Sequence, residues 1–176
     1  KPSPLESAAT KPDWLLKPEP FRAGVFRGRA SDEVVLQNGL LRRTLKLSPN
    51  ATTVGLDNLM TGEVALRAVE PEAVVTIDGR EFKVGGLRGQ RDRAYLLPEW
   101  IASLTNDSGS FQFADFAVGK PESPINWKRK RHAADLPWPP PGAALALNFR
   151  GPDEATRGIS ITVHHELYDG LPVLGK

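Results

Sequence analysis

The chain has 176 residues with 23 Lys and Arg against 21 Asp and Glu, and its net charge of +2 makes no global case for a polyanionic partner. It contains no cysteine, which excludes disulfides, thiolate metal sites and cysteine nucleophiles together. No run approaches the roughly 18 to 20 apolar residues of a membrane-spanning helix, and sixteen Gly and sixteen Pro favour a turn-rich β protein over a helical bundle.

In chain order, residues 1–20 hold five prolines and no periodicity, which predicts an extended arm or linker. Trp14, Leu15 and Leu16 interrupt it as an apolar triplet, expected to dock on the body. Residues 21–29 mix aromatic and basic side chains and predict a first edge strand, its charges discouraging edge-to-edge pairing. From 33 to 84, short alternating runs are cut by turn dipeptides every eight to twelve residues. Leu41, Leu45 and Leu47 share one strand face, with Arg42, Thr44 and Lys46 on the other. Ala73, Val75 and Ile77 repeat the pattern, and Asp78-Gly79 supplies a two-residue hairpin turn before Phe82 and Val84. Asn38-Gly39, Pro49-Asn50 and Thr61-Gly62 mark the other turns. Residues 85–93 (GGLRGQRDR) read as a solvated loop, because neither a Gly-Lys-Ser/Thr nor a helix pattern follows. Residues 95–104 are the best helix candidate, with Pro98 in the first turn and Trp100, Ile101 and Leu104 on one face.

Residues 111–118 predict another strand. Pattern then disappears from 119 to 142, where six prolines accompany Trp127 and Trp138. Alternation resumes with Leu145, Leu147 and Phe149, and is cleanest where Ile159, Ile161, Val163, His165 and Leu167 alternate with Ser160, Thr162, His164, Glu166 and Tyr168. The chain closes on Val173-Leu174-Gly175-Lys176, which reads as a strand cut short. The fold expected is an all-β antiparallel sandwich over residues 21–176, truncated in its last strands, with one or two short helices.

No catalytic set, metal site or cofactor motif assembles. His164 and His165 are adjacent in a strand and point to opposite faces, so they cannot bind one metal together. His165 lies on the apolar face and is expected as a hydrogen-bonded core histidine. His164 and Glu166 share a face; such a pair performs acid–base chemistry when it opens on a cleft, and is otherwise a cross-strand polar contact. Lys128, Arg129, Lys130 and Arg131, between Trp127 and His132, form the dense basic run. It is too short, in too neutral a chain, for a nucleic-acid module, and a solvated loop or a pairing with a neighbouring domain is preferred. Trp100, Trp127 and Trp138 are the indoles that a sugar ring could stack on, although tryptophans in a sandwich are more often core or loop anchors. The 119–142 loop is long for a compact domain, which singles it out as the functional surface, with Trp127, Lys128, Arg129, Arg131, His132 and Trp138 as its contact residues.

The series LQNGLLRRTLKLSPNATTVGLDNLMTGEVALRAVEPEAVVTIDG, the WKRKRH…WPPPG loop and the closing ISITVHHELYDGLPVLGK together resemble the N-terminal β-domain of alpha-galactosidase-like glycoside hydrolases of family 36. The resemblance spans about residues 33–176 and rests on turn and strand motifs. It implies a supersandwich similar in fold to galactose mutarotase, ahead of a catalytic (β/α)₈ barrel that carries both catalytic aspartates. It therefore implies a non-catalytic, cofactor-free accessory domain of a secreted or periplasmic enzyme. Its partners would be the catalytic domain of the same polypeptide, a carbohydrate, or a second copy, with no nucleic acid and no membrane span. An independent carbohydrate-binding module and a protein-interaction sandwich are the alternatives.

Overall fold

In the computed structural model, the described residues are 12–92, 94–123, 125–128, 130, 132 and 137–176. Residues 1–11 of the expected arm, Arg93, Pro124, Arg129 and Arg131 lie outside them. The fold is all-β and antiparallel. Strands β1 (Gly24–Arg27), β2 (Glu33–Gln37), β3 (Leu41–Lys46), β4 (Thr52–Asn58) and β5 (Glu63–Val64) form a five-stranded meander in sequence order. Strands β6 (Ala73–Ile77) and β7 (Arg80–Val84) form a hairpin, and β8 (Leu87–Arg88) pairs with β9 (Thr105–Asn106). Strands β10 (Gln112–Gly119), β11 (Gly142–Arg150), β12 (Ser160–Tyr168) and β13 (Leu174–Gly175) complete a four-stranded sheet.

The two larger sheets face each other over one core. Val34 and Leu45 from the first meet Leu145, Leu147, Phe149 and Val163 from the second, with Phe82 and Val84 of the hairpin and Phe111 filling the space between. This follows from the period-two alternation: Leu145, Leu147 and Phe149 are fully buried, whereas the intervening Ala146 and Asn148 are only partly so. The Asp78-Gly79 turn has φ of 50° and 78°, the left-handed pair that a tight hairpin needs.

The helix candidate is a 3-10 segment at Pro98–Ser103. Leu104 after it is buried with Val54 and Val69, and Ile101 packs on that cluster. Six residues suffice for this small apolar contact against the outside of β4. The 85–92 loop is more ordered than expected. Gln90 Oε1 accepts from Val69 N at 2.8 Å, and its amide donates to Ala94 O at 2.9 Å, closing the loop onto the body.

At the start of the described chain, Trp14 lines a hollow with Phe21, Leu40 and Met60, but Leu15 and Leu16 are exposed, so one residue of the triplet docks. The following stretch is tied to the turn after β12: Ala23 N donates to Asp169 Oδ1 at 2.7 Å and Gly170 N to Phe21 O at 2.7 Å. Two buried asparagines join distant segments. Asn38 donates to Tyr168 O and Leu171 O, both at 2.8 Å, and Asn50 donates to Phe111 O and accepts from Phe113 N.

Candidate functional site

Because paired residues on neighbouring strands point to the same side of a sheet, the outer face of the second sheet can be read row by row. Asp115, Asn148 and Thr162 form one hydrogen-bonded row. The next rows are Ala117, Ala146 and His164, then Gly119, Ala144 and Glu166, the last paired with Gly175 of β13. Small side chains on β10, β11 and β13 thus leave His164 and Glu166 standing beside a low floor.

After Gly119 the chain crosses this face. Pro121 is buried, and Glu122 N donates to Glu166 Oε1 at 3.1 Å. The result is a cleft of about 390 Å³ lined by Glu122, Ser123, His164, Glu166, Tyr168 and the end of the chain at Gly175 and Lys176. The Tyr168 hydroxyl donates to Glu166 Oε2 at 2.7 Å. Burial, reinforced by that hydrogen bond and the charge of Glu166, pushes the phenol up to about 12, so it remains a donor at neutral pH. Glu166 is in consequence a fixed acceptor with each oxygen already held. His164 is exposed and makes no hydrogen bond or ion pair among the described residues. The pair read from the sequence therefore does open on a cleft, whose groups can accept from and donate to a hydroxylated or amino-bearing ligand.

The loop above the cleft brings two of the indoles together. The Trp127 and Trp138 ring centroids are 5.3 Å apart with planes tilted by 45°. Trp138 Nε1 donates to Ser123 Oγ at 2.7 Å, which couples the indole pair to the cleft wall. The two side chains are 41% and 44% exposed and belong to none of the buried clusters. Lys128 and His132 are exposed and form no ion pair among the described residues, and Arg129 and Arg131 lie outside them. Trp100 is not part of this group. It lies beneath the Arg91 guanidinium, 5.1 Å from ring centroid to charge, in the segment that packs outside the first sheet.

A second polar constellation is buried between the sheets. Glu72, just before β6, accepts from Thr53 N at 2.6 Å, Thr53 Oγ1 at 2.7 Å and Arg43 Nη2 at 3.0 Å, and Lys176 Nζ stands 3.0 Å from it. Burial alone would push this carboxyl up. The imidazole of His165, the guanidinium of Arg43 and the ammonium of Lys176 together outweigh that and hold it well below the usual carboxylate range. His165 is fully buried, as its apolar-face position requires, but among the described residues neither ring nitrogen makes the expected hydrogen bond: Nε2 stands 3.3 Å from Glu72 Oε2 without hydrogen-bond geometry, and Nδ1 has no partner. Burial lowers its affinity for a proton, against the pull of Glu72, so the ring is neutral at pH 7.

Arg43 shares its strand face with Leu41 and Leu45, so its inward position was legible by parity. Glu72 sits in a non-periodic stretch and carried no such signal. Tyr168 falls in the His164–Glu166 series, whereas Glu122 and Ser123 reach the cleft only through the path of the loop. Compared with protein-family models, curated proteins and solved structures, the chain finds no match.

Proposed function

We propose that this chain is the non-catalytic N-terminal accessory β-domain of a secreted or periplasmic carbohydrate-active enzyme resembling the alpha-galactosidases of family 36. In this role it packs on a catalytic barrel and lends the 119–142 loop to that barrel's pocket or to an oligomer interface. The observation that supports it most is the half-exposed Trp127–Trp138 pair, held outward beside a cleft when both rings could have been spent on the core. Large aromatic rings kept at a surface are the anchors that interfaces and sugar sites share.

An independent carbohydrate-binding module is the second reading, favoured by the cleft itself, whose volume lies within the range of small-ligand sites. The natural reading frame separates the two. A (β/α)₈ barrel encoded after Lys176 is the expected result, and a stop codon there would sink the accessory-domain proposal. With the longer protein in hand, Trp127→Ala and Trp138→Ala should raise KM or weaken assembly while the 12–176 fold keeps its Tm.

A further inference from the structure

The first sheet also has an outer face, and it carries a groove unrelated to the indole loop. Rows Gly24, Gln37, Arg42 and Asp57, then Phe26, Val35, Thr44 and Gly55, run across β1 to β4. With Ile101 of the 3-10 segment as one wall, Phe26, Val35, Gln37, Arg42, Thr44 and Gly55 of these rows line a groove of about 390 Å³ that ends at Arg27, Gly28, Arg29 and Glu33. Gly55 has no side chain, and a Cβ there would come within 3.3 Å of Thr44, so the floor is open because that residue is glycine.

Phe26 sets the character of the groove. A Cβ on Gly24 would meet Phe26 Cζ at 2.8 Å, so the ring lies down against the bare backbone of its own strand. Its side chain is 50% exposed. Beside it, Gln37 and Thr44 have no side-chain hydrogen-bond partner among the described residues, while Arg42 Nε donates to Asp57 Oδ2 at 2.7 Å. At the far end, no carboxylate pairs with Arg27 or Arg29 among the described residues. Glu33 lines the same end, where its Oε2 accepts from the backbone N–H groups of Arg29 and Ala30 at 3.0 and 3.2 Å and forms no ion pair with either guanidinium.

We propose that this groove binds an acidic carbohydrate, a short uronic-acid oligosaccharide, with a ring face on Phe26, hydroxyls on Gln37 and Thr44, and a carboxylate on Arg29 and Arg27. A flat apolar ring, neutral donors and acceptors and two guanidinia that have no partner among the described residues supply in one groove the three chemistries that such a ligand needs. Along β2 the groove runs from Gln37 to Glu33, about 14 Å at the strand repeat, enough for more than one sugar ring. A nucleic acid fits less well, because two cations unpaired among the described residues are a small footprint for a phosphate chain. The inference stands on this groove alone and does not depend on the accessory-domain reading.

The test is calorimetric titration of trigalacturonate into the full chain at low and high salt, with galactotriose and a short single-stranded DNA as comparison probes. Saturable binding of trigalacturonate that weakens with salt is expected, with galactotriose about tenfold weaker. Phe26→Leu should cost about tenfold, since the open face of the ring no longer leaves water on binding. The Arg27→Ala/Arg29→Ala double variant should lose a similar factor and most of the salt dependence. Gly24→Ala provides a variant that retains every groove side chain and only lifts the ring, and it should weaken binding with an unchanged Tm. Absence of saturable trigalacturonate binding, binding indifferent to Phe26→Leu and to Gly24→Ala, equal affinity for galactotriose, or tighter binding of the DNA would each overturn the proposal.

Discussion

Replacing Glu72 by glutamine isolates what the buried charge contributes. The amide can still accept from Thr53 N, so the backbone group is not orphaned, but Arg43 loses its carboxylate while its side chain stays 9% exposed. Breaking a buried ion pair by removing one partner costs about 3–5 kcal/mol. The lower end applies here, because Lys176 is itself over a third exposed and brings water to one side of the cluster. A loss near 3 kcal/mol corresponds to a Tm lowered by roughly 6–12 °C for a domain of this size, read by calorimetry or circular dichroism. The cause is then checked by a double-mutant cycle. Arg43→Met should cost much less in the Glu72→Gln background than alone, with a coupling of about 1.5 kcal/mol or more. A Tm within 2 °C of wild type, or additive effects of the two substitutions, would show that the arrangement carries little stability and that the argument from burial is wrong.

Acid should unfold the protein in two stages. His165 has a folded pKa below its ordinary 6.5, so the unfolded state binds more protons and stability declines as pH falls below that value. Glu72 adds its own loss once pH drops below its ordinary 4.5, because its folded carboxyl is held lower; a Tm that is flat from pH 7 to 4 would contradict this. Trp127→Ala and Trp138→Ala should leave the isolated domain's Tm within about 2 °C, as expected away from buried features; a loss of several kcal/mol would mean that the loop is core after all. Gly85→Ala should be severely destabilising, since a Cβ would meet the Ala51 carbonyl at 2.3 Å and φ is +65°; wild-type yield and Tm for that variant would refute the packing argument. The purified chain should not hydrolyse aryl galactosides, and turnover abolished by a point change within it would prove otherwise.

Alternation and turn chemistry determined the class of fold. Side chains two apart on a strand share a face, so runs such as Leu145, Leu147 and Phe149 declared their buried side, and Asp78-Gly79 declared its hairpin, without reference to any other segment. The same parity put His164 and Glu166 together and His165 apart from them. What parity could not supply is anything that depends on two segments meeting. Phe113 and Phe116 are three apart, so strict alternation would divide them between faces. A bulge between Phe113 and Asp115 puts both in the rows of Phe149 and Leu147, although only Phe113 packs on the core and Phe116, on the edge strand, stays 41% exposed. Glu72 gains its donors from β3, β4 and the last residue of the chain. The two halves of the cleft come from β12 and from a loop whose prolines and polar residues have no period to read. Local propensity acts over a few residues, so strands, faces and turns were legible along the chain. The meeting of Arg43 with Glu72 and the cleft arose only when long-range packing brought those surfaces together.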